Sequence, residues 1–367
     1  MADDVMPDEA WLAVLSELHG MGPARLRSVL AHGSPPQVWQ RIVDGSIGSA
    51  VAVGPELVSD WRAQAARTDV EHRWHQYRHS GIGVARWGSA AYPDSLVDDP
   101  EPPAALFIDG DLGTLQLPRV AIVGTRRCSR YGTDVAFELG RDLAAAGVCV
   151  VSGLALGIDG AAHAGALDAA VAAPVAVVAC GLDRIYPSRN RALWRAVADA
   201  GAVFSEVPLG VPPDRWRFPA RNRIIAGLAD VVIVVESDLT GGSMHTVAEA
   251  ARRDIPVMAV PGPIRSPSSA GTNHLLGEGC APVCAAGDVL SLLGLSAAVS
   301  LRRTPRRSPS PLGRRVLEAF CWQPVDLEVL VQRTELAIGE VAAAIEELLG
   351  SGWVARRGAW LERVAAA

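Results

Sequence analysis

The sequence contains no lysine, so all 34 of its basic residues are arginine. Without lysine the chain has no P-loop lysine for ATP and no amine for the Schiff bases of pyridoxal or aldol chemistry. A lysine general base is excluded for the same reason. Any positively charged site in this protein must therefore be built mainly from arginine.

Long apolar runs are also absent, although 49% of the 367 residues are hydrophobic. A membrane-spanning helix needs about eighteen consecutive apolar residues, and no such stretch occurs. The first residues are acidic and are not followed by the apolar stretch of a secretory signal. We expect a cytoplasmic protein of two or three domains with no membrane partner.

The cysteine pattern and the net charge narrow the function further. Of six scattered cysteines only Cys280 and Cys284 lie close in sequence, and no second pair at zinc-finger spacing accompanies them. We expect reduced thiols and no metal. Because the formal net charge is −6, any nucleic-acid site must be a local basic patch rather than the whole surface.

Apolar residues at helical spacing run from residue 8 to about residue 82, which predicts a small all-α domain over residues 1–84. Within it, Gly20 and Gly22 flank a turn that leads to Pro23. This turn resembles a helix-hairpin-helix motif, whose glycines let backbone amides approach a phosphate. An ordinary turn between two helices explains the same residues equally well.

After a Pro- and Asp-rich stretch over residues 92–103, the pattern changes to short β-branched runs that alternate with longer helical segments. The runs cover residues 120–123, 148–151, 175–179, 231–235 and 256–260. Continuous apolar runs suit strands that are buried on both faces, and the helices between them imply right-handed crossovers. The predicted fold class is α/β, an extended Rossmann-like, doubly wound and mainly parallel sheet over residues 85–295.

Two segments follow the predicted sheet. Residues 296–311 are basic and Pro-rich, which predicts a flexible linker. Residues 312–367 show three helices and a small hairpin, the outline of a winged-helix-like domain. The third of these helices is acidic and would repel phosphate, so a protein contact or a structural role is favoured over DNA contact.

The turns that follow the predicted strands are candidate sites, because ligands of an open parallel sheet bind beyond the carboxyl ends of its strands. After the first run, Gly124 permits a tight turn, and Thr125 and Arg126 lead to a helix start that can bind an anion. The full Gly-x-Gly-x-x-Gly spacing is missing, so a phosphate-binding turn is favoured and no dinucleotide or other cofactor is predicted.

After the second run, Ser152, Gly153 and Gly157 offer a hydroxyl acceptor and two points of close approach. Asp159 and His163 follow at i and i+4 of the next helix. A general-base couple is one interpretation, but no nearby serine or cysteine carries a recognisable nucleophile elbow. We therefore predict that this pair orients the loop through a structural hydrogen bond.

Residues 214–223 contain four arginines and two aromatic residues. The planar guanidinium of arginine suits phosphate, and Trp216 and Phe218 offer flat faces on which an unpaired base can stack. A solvated helix start beside a core helix is the other interpretation of this segment. With Gly242 and Ser243 at a further helix start, the segment predicts a pocket for a phosphodiester chain at one rim of the sheet.

These turns resemble the DNA processing protein A (DprA, also called Smf) family over roughly residues 85–290. The matching residues are Gly124, Arg126, Ser129, Tyr131 and Gly132; Ser152, Gly153, Ala155, Gly157, Ile158, Asp159, Ala162 and His163; Asp183, Tyr186, Pro187 and Asn190; Ser205, Glu206, Pro208 and Gly210; Phe218, Pro219, Arg221, Asn222, Arg223, Ile224, Ile225, Ala226 and Gly227; and Pro261 and Gly262.

The resemblance implies a homodimer without catalytic activity that binds single-stranded DNA, processes incoming DNA during transformation and helps load the recombinase RecA. It also implies that Arg126 holds phosphate, that Phe218 stacks a base, and that Arg215 supplies a basic residue of the pocket. Thr125 departs from a common serine of the family, and residues 240–246 match loosely. The predicted strand contacts are Gly124, Thr125, Arg126, Ser129, Tyr131, Gly132, Ser152, Gly153, Gly157, Arg215, Phe218, Arg221, Asn222, Arg223, Gly242 and Ser243.

Two other functions remain as alternatives. Gly241, Gly242, Thr246 and Glu249 partly match the Pro-Gly-Gly-x-Gly-Thr-x-x-Glu signature of nucleoside-monophosphate phosphoribohydrolases, although the proline and the third glycine are missing. If the protein were such an enzyme, Glu249 would be a catalytic residue. The other interpretation is that Glu249 lies on a helix, where it caps the helix or faces solvent. The second alternative is a scaffold that binds only proteins through the winged-helix-like domain and the linker.

Overall fold

The computed structural model describes residues 6–49, 51–295, 307–320, 324–358 and 360–364. Its contacts divide the chain into two compact units, Met1–Val299 and Ser300–Ala367. Most of the predicted linker, together with Cys321, lies outside the described residues. In the part of the chain that the structure describes, no helix is long and apolar enough to cross a membrane.

The first unit is built on a nine-stranded sheet with the strand order β1-β2-β6-β5-β4-β3-β7-β8-β9. The strands are β1 (Gly83–Arg86), β2 (Ala105–Gly110), β3 (Arg119–Val123), β4 (Cys149–Ser152), β5 (Val175–Val178), β6 (Ala202–Ser205), β7 (Val231–Val234), β8 (Val257–Ala259) and β9 (Ala281–Pro282). The strands from β6 to β9 in this order are parallel, whereas β1 pairs with β2 and β2 with β6 in antiparallel fashion. The predicted mainly parallel sheet is confirmed.

Helices cover both faces of this sheet, as the doubly wound fold class predicts. They are α6 (Arg130–Ala145), α7 (Ile158–Ala169), α8 (Arg191–Ala200), α9 (Arg217–Leu228), α10 (Gly242–Ala251), α11 (Ala270–Gly277) and α12 (Ala286–Leu292). Side chains of α9, such as Ile224, share one core with Val123 and Val234. On the opposite face α6 and α7 pack on Val120 and Ile122.

The N-terminal helices are α1 (Asp8–Ser16), α2 (Pro23–Leu30), α3 (Pro35–Val43), α4 (Pro55–Ala65) and α5 (Val70–His79). Three of them begin with proline. The first amide of a helix has no hydrogen-bond partner within the helix, so the missing amide hydrogen of proline costs nothing there. The rings of Tyr77 and Phe107 lie 5.6 Å apart, and the Tyr77 hydroxyl donates to Glu17 and accepts from the amide of Leu209. These helices therefore share a core with the sheet, and the predicted boundary near residue 84 stays a prediction.

The second unit contains α13 (Pro311–Ala319), α14 (Leu327–Thr334), α15 (Ile338–Gly350), β10 (Val354–Arg357) and β11 (Trp360–Arg363). The hydroxyl of Ser310 and the carboxylate of Asp326 cap α13 and α14 by accepting backbone amides. The antiparallel pair of β10 and β11 follows α15, and all five elements share one apolar core. Three helices and a hairpin confirm the predicted winged-helix-like domain.

Helices α6 and α7 approach each other so closely that only glycine fits at two crossing points. A Cβ on Gly165 would lie 2.0 Å from the carbonyl oxygen of Phe137, and one on Gly140 would lie 2.2 Å from that of Ala162. The obstructing atoms belong to the backbone, so neither helix can yield locally. This contact fixes how the two loops before these helices meet at the edge of the sheet.

We expect Gly165→Ala to lower the free energy of unfolding by about 1–3 kcal/mol because the added methyl group forces the helices apart. Gly287→Ala is the matched control, since a Cβ at this helical glycine meets no atom within 4 Å. The control should be neutral or stabilising by up to about 1 kcal/mol. Urea unfolding measures both values, and equal effects of the two substitutions would contradict the tight crossing.

Candidate functional site

A cavity of about 370 Å³ opens at the carboxyl ends of β3 and β7. A smaller cavity of about 40 Å³ adjoins it, and Arg126, Phe218 and Arg221 line both. We call the two cavities together the central groove. Since β3 pairs with β4 on one side and β7 on the other, the groove lies where the strand order reverses, the usual ligand position of such sheets.

The structure brings nine of the predicted strand contacts to the central groove. They are Gly124, Thr125, Arg126, Gly153, Phe218, Arg221, Asn222, Gly242 and Ser243. They come from the loops after β3 and β4 and from the first turns of α9 and α10. Four segments that are distant in sequence thus form one concave surface.

The most distinctive feature of the groove is a stack of three side chains. The guanidinium carbon of Arg126 lies 4.5 Å from the ring centroid of Phe218. On Phe218 the ring of Tyr186 packs as well, with 5.8 Å between centroids. Arg126 is exposed, so the stack presents a positive charge beside two aromatic faces.

The loop that carries Arg126 is held in place by Glu236, which follows β7 and is buried. Its carboxylate accepts the amide of Ser129 at 2.8 Å and the hydroxyl of Ser129 at 2.6 Å, and its backbone oxygen accepts the amide of Thr125 at 2.7 Å. A Cβ on Gly132 would lie 2.4 Å from this carboxylate. Ser129 and Gly132 therefore anchor the loop instead of lining the groove.

This arrangement corrects the sequence-based expectation that the start of α6 forms the anion site. The carboxylate of Glu236 already occupies the N-terminal end of that helix, where an anion would otherwise be stabilised by the amides. Among the residues of this loop, Arg126 instead presents its exposed guanidinium to the groove. The role of Glu236 could not be predicted from the sequence, because no local pattern indicates that a carboxylate after β7 accepts hydrogen bonds from the loop after β3.

Ser152 and Gly157 also support the groove from below. The hydroxyl of Ser152 donates to the carbonyl oxygen of Ile122 at 2.6 Å and is fully buried, so it ties β4 to β3. Gly157 has φ +81°, and a Cβ there would lie 2.4 Å from the carbonyl oxygen of Thr125. A larger residue would separate the two loops that form the groove.

Arg221 forms the floor of the groove and is only 7% exposed. Its Nη1 donates to the carbonyl oxygens of Gly153 and Val177, whereas Nε has no partner. Burial lowers the pKa of Arg221 to about 10, with Asp159 opposing the shift, so the guanidinium is still charged at neutral pH. Burial raises the pKa of Asp159.

Asp159 and His163 are both buried, but neither ring nitrogen of His163 has a hydrogen-bond partner among the described residues, so the predicted bond between the two is absent. Asp159 lies in the first turn of α7, where Arg221 and the backbone amides of Ala155 and Gly153 oppose the rise of its pKa. Burial lowers the pKa of His163 to about 3. A neutral, enclosed imidazole of this kind is part of the core.

Three predicted contacts lie away from the groove. Arg223 is buried, and its guanidinium forms an ion pair with both carboxylate oxygens of Glu206. The hydroxyl of Tyr131 donates to the carbonyl oxygen of Pro261 at 3.0 Å. Arg215 is exposed but lines neither cavity of the central groove. Arg223 is thus a structural residue, because α9 turns it toward the loop after β6.

Several groove residues were not among the predicted contacts. They include Arg127, Ala155, Leu156, Tyr186, Asp238, His245 and Thr246. Ala155 and Tyr186 had a signal in the sequence, since each follows a predicted strand and matches a family motif. Glu249, the catalytic residue of the phosphoribohydrolase alternative, does not line the groove and instead pairs with Arg252 and Arg253. Within the described residues, no three potential metal ligands lie together.

The fold and the site define a class of protein: a Rossmann-like sheet with an arginine-rich aromatic groove at its switch point, in a chain that also carries a winged-helix unit. A family model described as DNA recombination-mediator protein A matches residues 84–294, and a DprA winged helix domain model matches residues 301–358. The chain belongs to the DNA recombination-mediator protein A family, a family of DNA-processing proteins, which confirms the resemblance found in the sequence.

Relatives and solved structures agree with this assignment. The chain is 36% identical to the protein Smf of Escherichia coli over 275 residues, which is 73% of each chain. It is 38% identical to DNA processing protein DprA of Bacillus subtilis over 218 residues, covering 59% of this chain and 73% of the relative.

Two solved structures are similar to this chain at 32% sequence identity. DNA processing protein A of Streptococcus pneumoniae matches with a TM-score of 0.67 over 77% of this chain and 97% of its own. The Helicobacter pylori protein matches with a TM-score of 0.53 over 58% of this chain and 95% of its own. That second structure addresses the single-stranded DNA binding mode of the Helicobacter protein.

We expect Arg223→Met to lower the free energy of unfolding by about 3–5 kcal/mol, because it leaves the carboxylate of Glu206 buried without its partner. Burial already raises the pKa of Glu206, and Arg223 opposes that shift. The double variant Arg223→Met with Glu206→Met removes both charges and should recover most of the loss. Urea unfolding measures all three proteins. Unchanged stability with weakened DNA binding would instead place Arg223 at the strand.

His163 gives a prediction for acid. Its pKa in the folded protein is about 3, whereas an unfolded histidine takes up a proton near pH 6.5. Stability from this residue is therefore complete above pH 6.5 and is lost by about 1.4 kcal/mol per unit as the pH falls toward 3. His163→Leu should flatten the pH dependence of urea unfolding in this window, and His32→Leu, at an exposed histidine, should not. Parallel curves for His163→Leu and the parent would contradict the assignment.

Proposed function

We propose that this protein binds single-stranded DNA in the central groove and acts as a recombination mediator that protects the strand and helps load RecA onto it. The observation that carries the proposal is the stack of Arg126 on Phe218 at the switch point of the sheet. A cation beside an aromatic face can bind the phosphate of a nucleotide while the aromatic ring stacks on a neighbouring base. Neither contact reads a base edge, so binding should show little sequence preference.

The charge distribution supports a local site. The chain has a formal net charge of −6, so bulk attraction to DNA is weak. At the groove, however, Arg126 and Arg127 are exposed and Arg221 holds a buried charge beneath them. The low-dielectric surroundings of Arg221 strengthen its field at the groove.

The roles in RecA loading, in processing of incoming DNA during transformation and in homodimer formation, all in the cytoplasm, are proposed from membership of the family. We propose no catalytic step. The one carboxylate that the enzyme alternative requires, Glu249, is held by Arg253, which is itself buried with Asp99. A co-purification with RecA and single-stranded DNA, with and without residues 312–367, tests the partner and the part that the winged helix plays.

Arg126→Ala should weaken binding of oligothymidine and reduce the slope of log affinity against log salt by about 0.7, the value for one phosphate contact on a single strand. Phe218→Ala should weaken binding by roughly 1–3 kcal/mol with nearly unchanged slope, because stacking releases no counterions. Fluorescence anisotropy over a salt series measures both quantities.

Two controls accompany these variants. Phe218→Tyr keeps an aromatic face and should retain most of the affinity, and Arg67→Ala removes an exposed arginine far from the groove and should change nothing. If the parent protein gave no anisotropy change at low salt, DNA binding itself would be refuted. Identical slopes for Arg126→Ala, Phe218→Ala and the parent would refute the assigned division between phosphate and base contacts.

A further inference from the structure

A second cavity, of about 630 Å³, lies between the N-terminal helices and the start of α9. One wall is the turn between α1 and α2, with Gly20 and Arg25, and the other wall carries Trp216 and Arg217. We call this cavity the lateral groove. It is larger than either part of the central groove.

The lateral groove adjoins the central groove at Arg221. This side chain lines all three cavities. It is more than nine-tenths buried, and its Nε has no hydrogen-bond partner. Val178 and Ala179 are also shared between the lateral groove and the smaller part of the central groove. The two grooves therefore abut beside the N-terminal half of α9, separated by side chains that line both.

The lateral groove repeats the chemistry of the central one. The guanidinium carbon of Arg217 lies 4.9 Å from the ring centroid of Trp216, and its Nη1 donates to the carbonyl oxygen of Pro212 at 2.7 Å. Trp216 is 53% exposed. An aromatic ring stacked with an arginine thus occurs twice at the start of α9, at Trp216 and at the half-buried Phe218, and both rings suit an unpaired base.

The opposite wall supplies donors for phosphate. Arg25 is exposed and donates one Nη1 hydrogen bond to the carbonyl oxygen of Gly20, which leaves its other amines to solvent. The amides of Ala24 and Arg25 open α2 and have no partner within the helix. The amides of Met21 and Gly22, in contrast, bond within the turn. A phosphate contact by backbone amides, which the sequence predicted for the glycines of this turn, is therefore available at the first turn of α2 instead.

The charge balance of the lateral groove favours an anionic occupant. Its two carboxylates are neutralised by arginines that do not line it, Glu17 by Arg73 at 2.8 Å and Glu206 by Arg223. The arginines that do line it, Arg25, Arg217 and Arg221, have no carboxylate within ion-pair distance in the described residues. The groove is thus apolar along its floor and positive at its rim.

We infer that the single strand extends from the central groove into the lateral groove. There a base stacks on Trp216, and a phosphate is bound by the guanidinium of Arg25 and by the free backbone amides in the first turn of α2. This inference rests on the proposed function and adds to it. The N-terminal helices become a second contact for the strand. Short oligonucleotides fill the central groove alone, and longer ones engage both grooves.

The test compares oligothymidines of about 5 and about 15 nucleotides, lengths that span the usual site sizes of such grooves. Trp216→Ala should weaken binding of the long oligonucleotide roughly 5- to 150-fold and leave the short one unchanged. Arg25→Ala should reduce the salt slope of the long oligonucleotide alone by about 0.7. Phe218→Ala, in contrast, should weaken binding at both lengths.

Matched controls are Trp87→Ala and Arg67→Ala. Trp87 is 51% exposed, Arg67 is exposed and bonds one backbone carbonyl, and neither lines a groove. Trp216→Phe should restore most of the affinity for the long oligonucleotide, and urea unfolding should show all variants folded. Quenching of 2-aminopurine at one end of the long strand should depend on Trp216.

The outcomes separate the inference from the function beneath it. If the parent binds both lengths and the Trp216 and Arg25 variants match it at both, the lateral groove serves another occupant, such as a protein segment, and the inference is wrong. Equal loss at both lengths also overturns it. If the parent binds neither length, the proposed function itself fails.

Discussion

The arrangement of the site depends on the carboxylate of Glu236. It comes from the end of β7, accepts two hydrogen bonds from Ser129 and thereby closes the N-terminal end of α6. A buried carboxylate at a helix start is stabilised by the aligned amides. Because it occupies the place of an anion, the loop after β3 has to offer side chains to a ligand. This explains why Arg126 projects over Phe218 at the rim.

The absence of lysine has a structural counterpart in the buried arginines. Arg221 shares its charge between two backbone carbonyl groups, Arg223 pairs with Glu206, and Arg253 pairs with Asp99 and Glu249. A planar guanidinium with five donors can satisfy several fixed acceptors at once, which an ammonium group on a flexible stem does less well. Of these three, only Arg221 lies under the groove.

The sequence allowed the sheet and the position of the site to be predicted, but not the orientation of every arginine. Strands buried on both faces read as continuous apolar runs, and this signal found β3, β4, β5, β7 and β8. It missed β1, β2, β6 and β9. β2 and β6 each contain a single β-branched residue, so neither shows the β-branched run on which the prediction relied. On α9, Phe218, Arg221 and Asn222 share one face at i, i+3 and i+4, whereas Arg223 turns away. Helical periodicity predicts which of these residues face the groove, whereas the number of arginines in the segment does not.

The negative net charge and the proposed binding of DNA in the central groove are compatible because carboxylates and arginines pair away from the rim. Glu17, Glu206 and Asp99 are each held by an arginine that does not line the central groove. Among the described residues that line the central groove, the carboxylates are Asp238 and the buried Asp159, and Arg221 opposes the rise of the Asp159 pKa. The field that a strand meets is therefore set by the few arginines at the rim. Affinity should then follow local contacts and salt, rather than the overall charge of the protein.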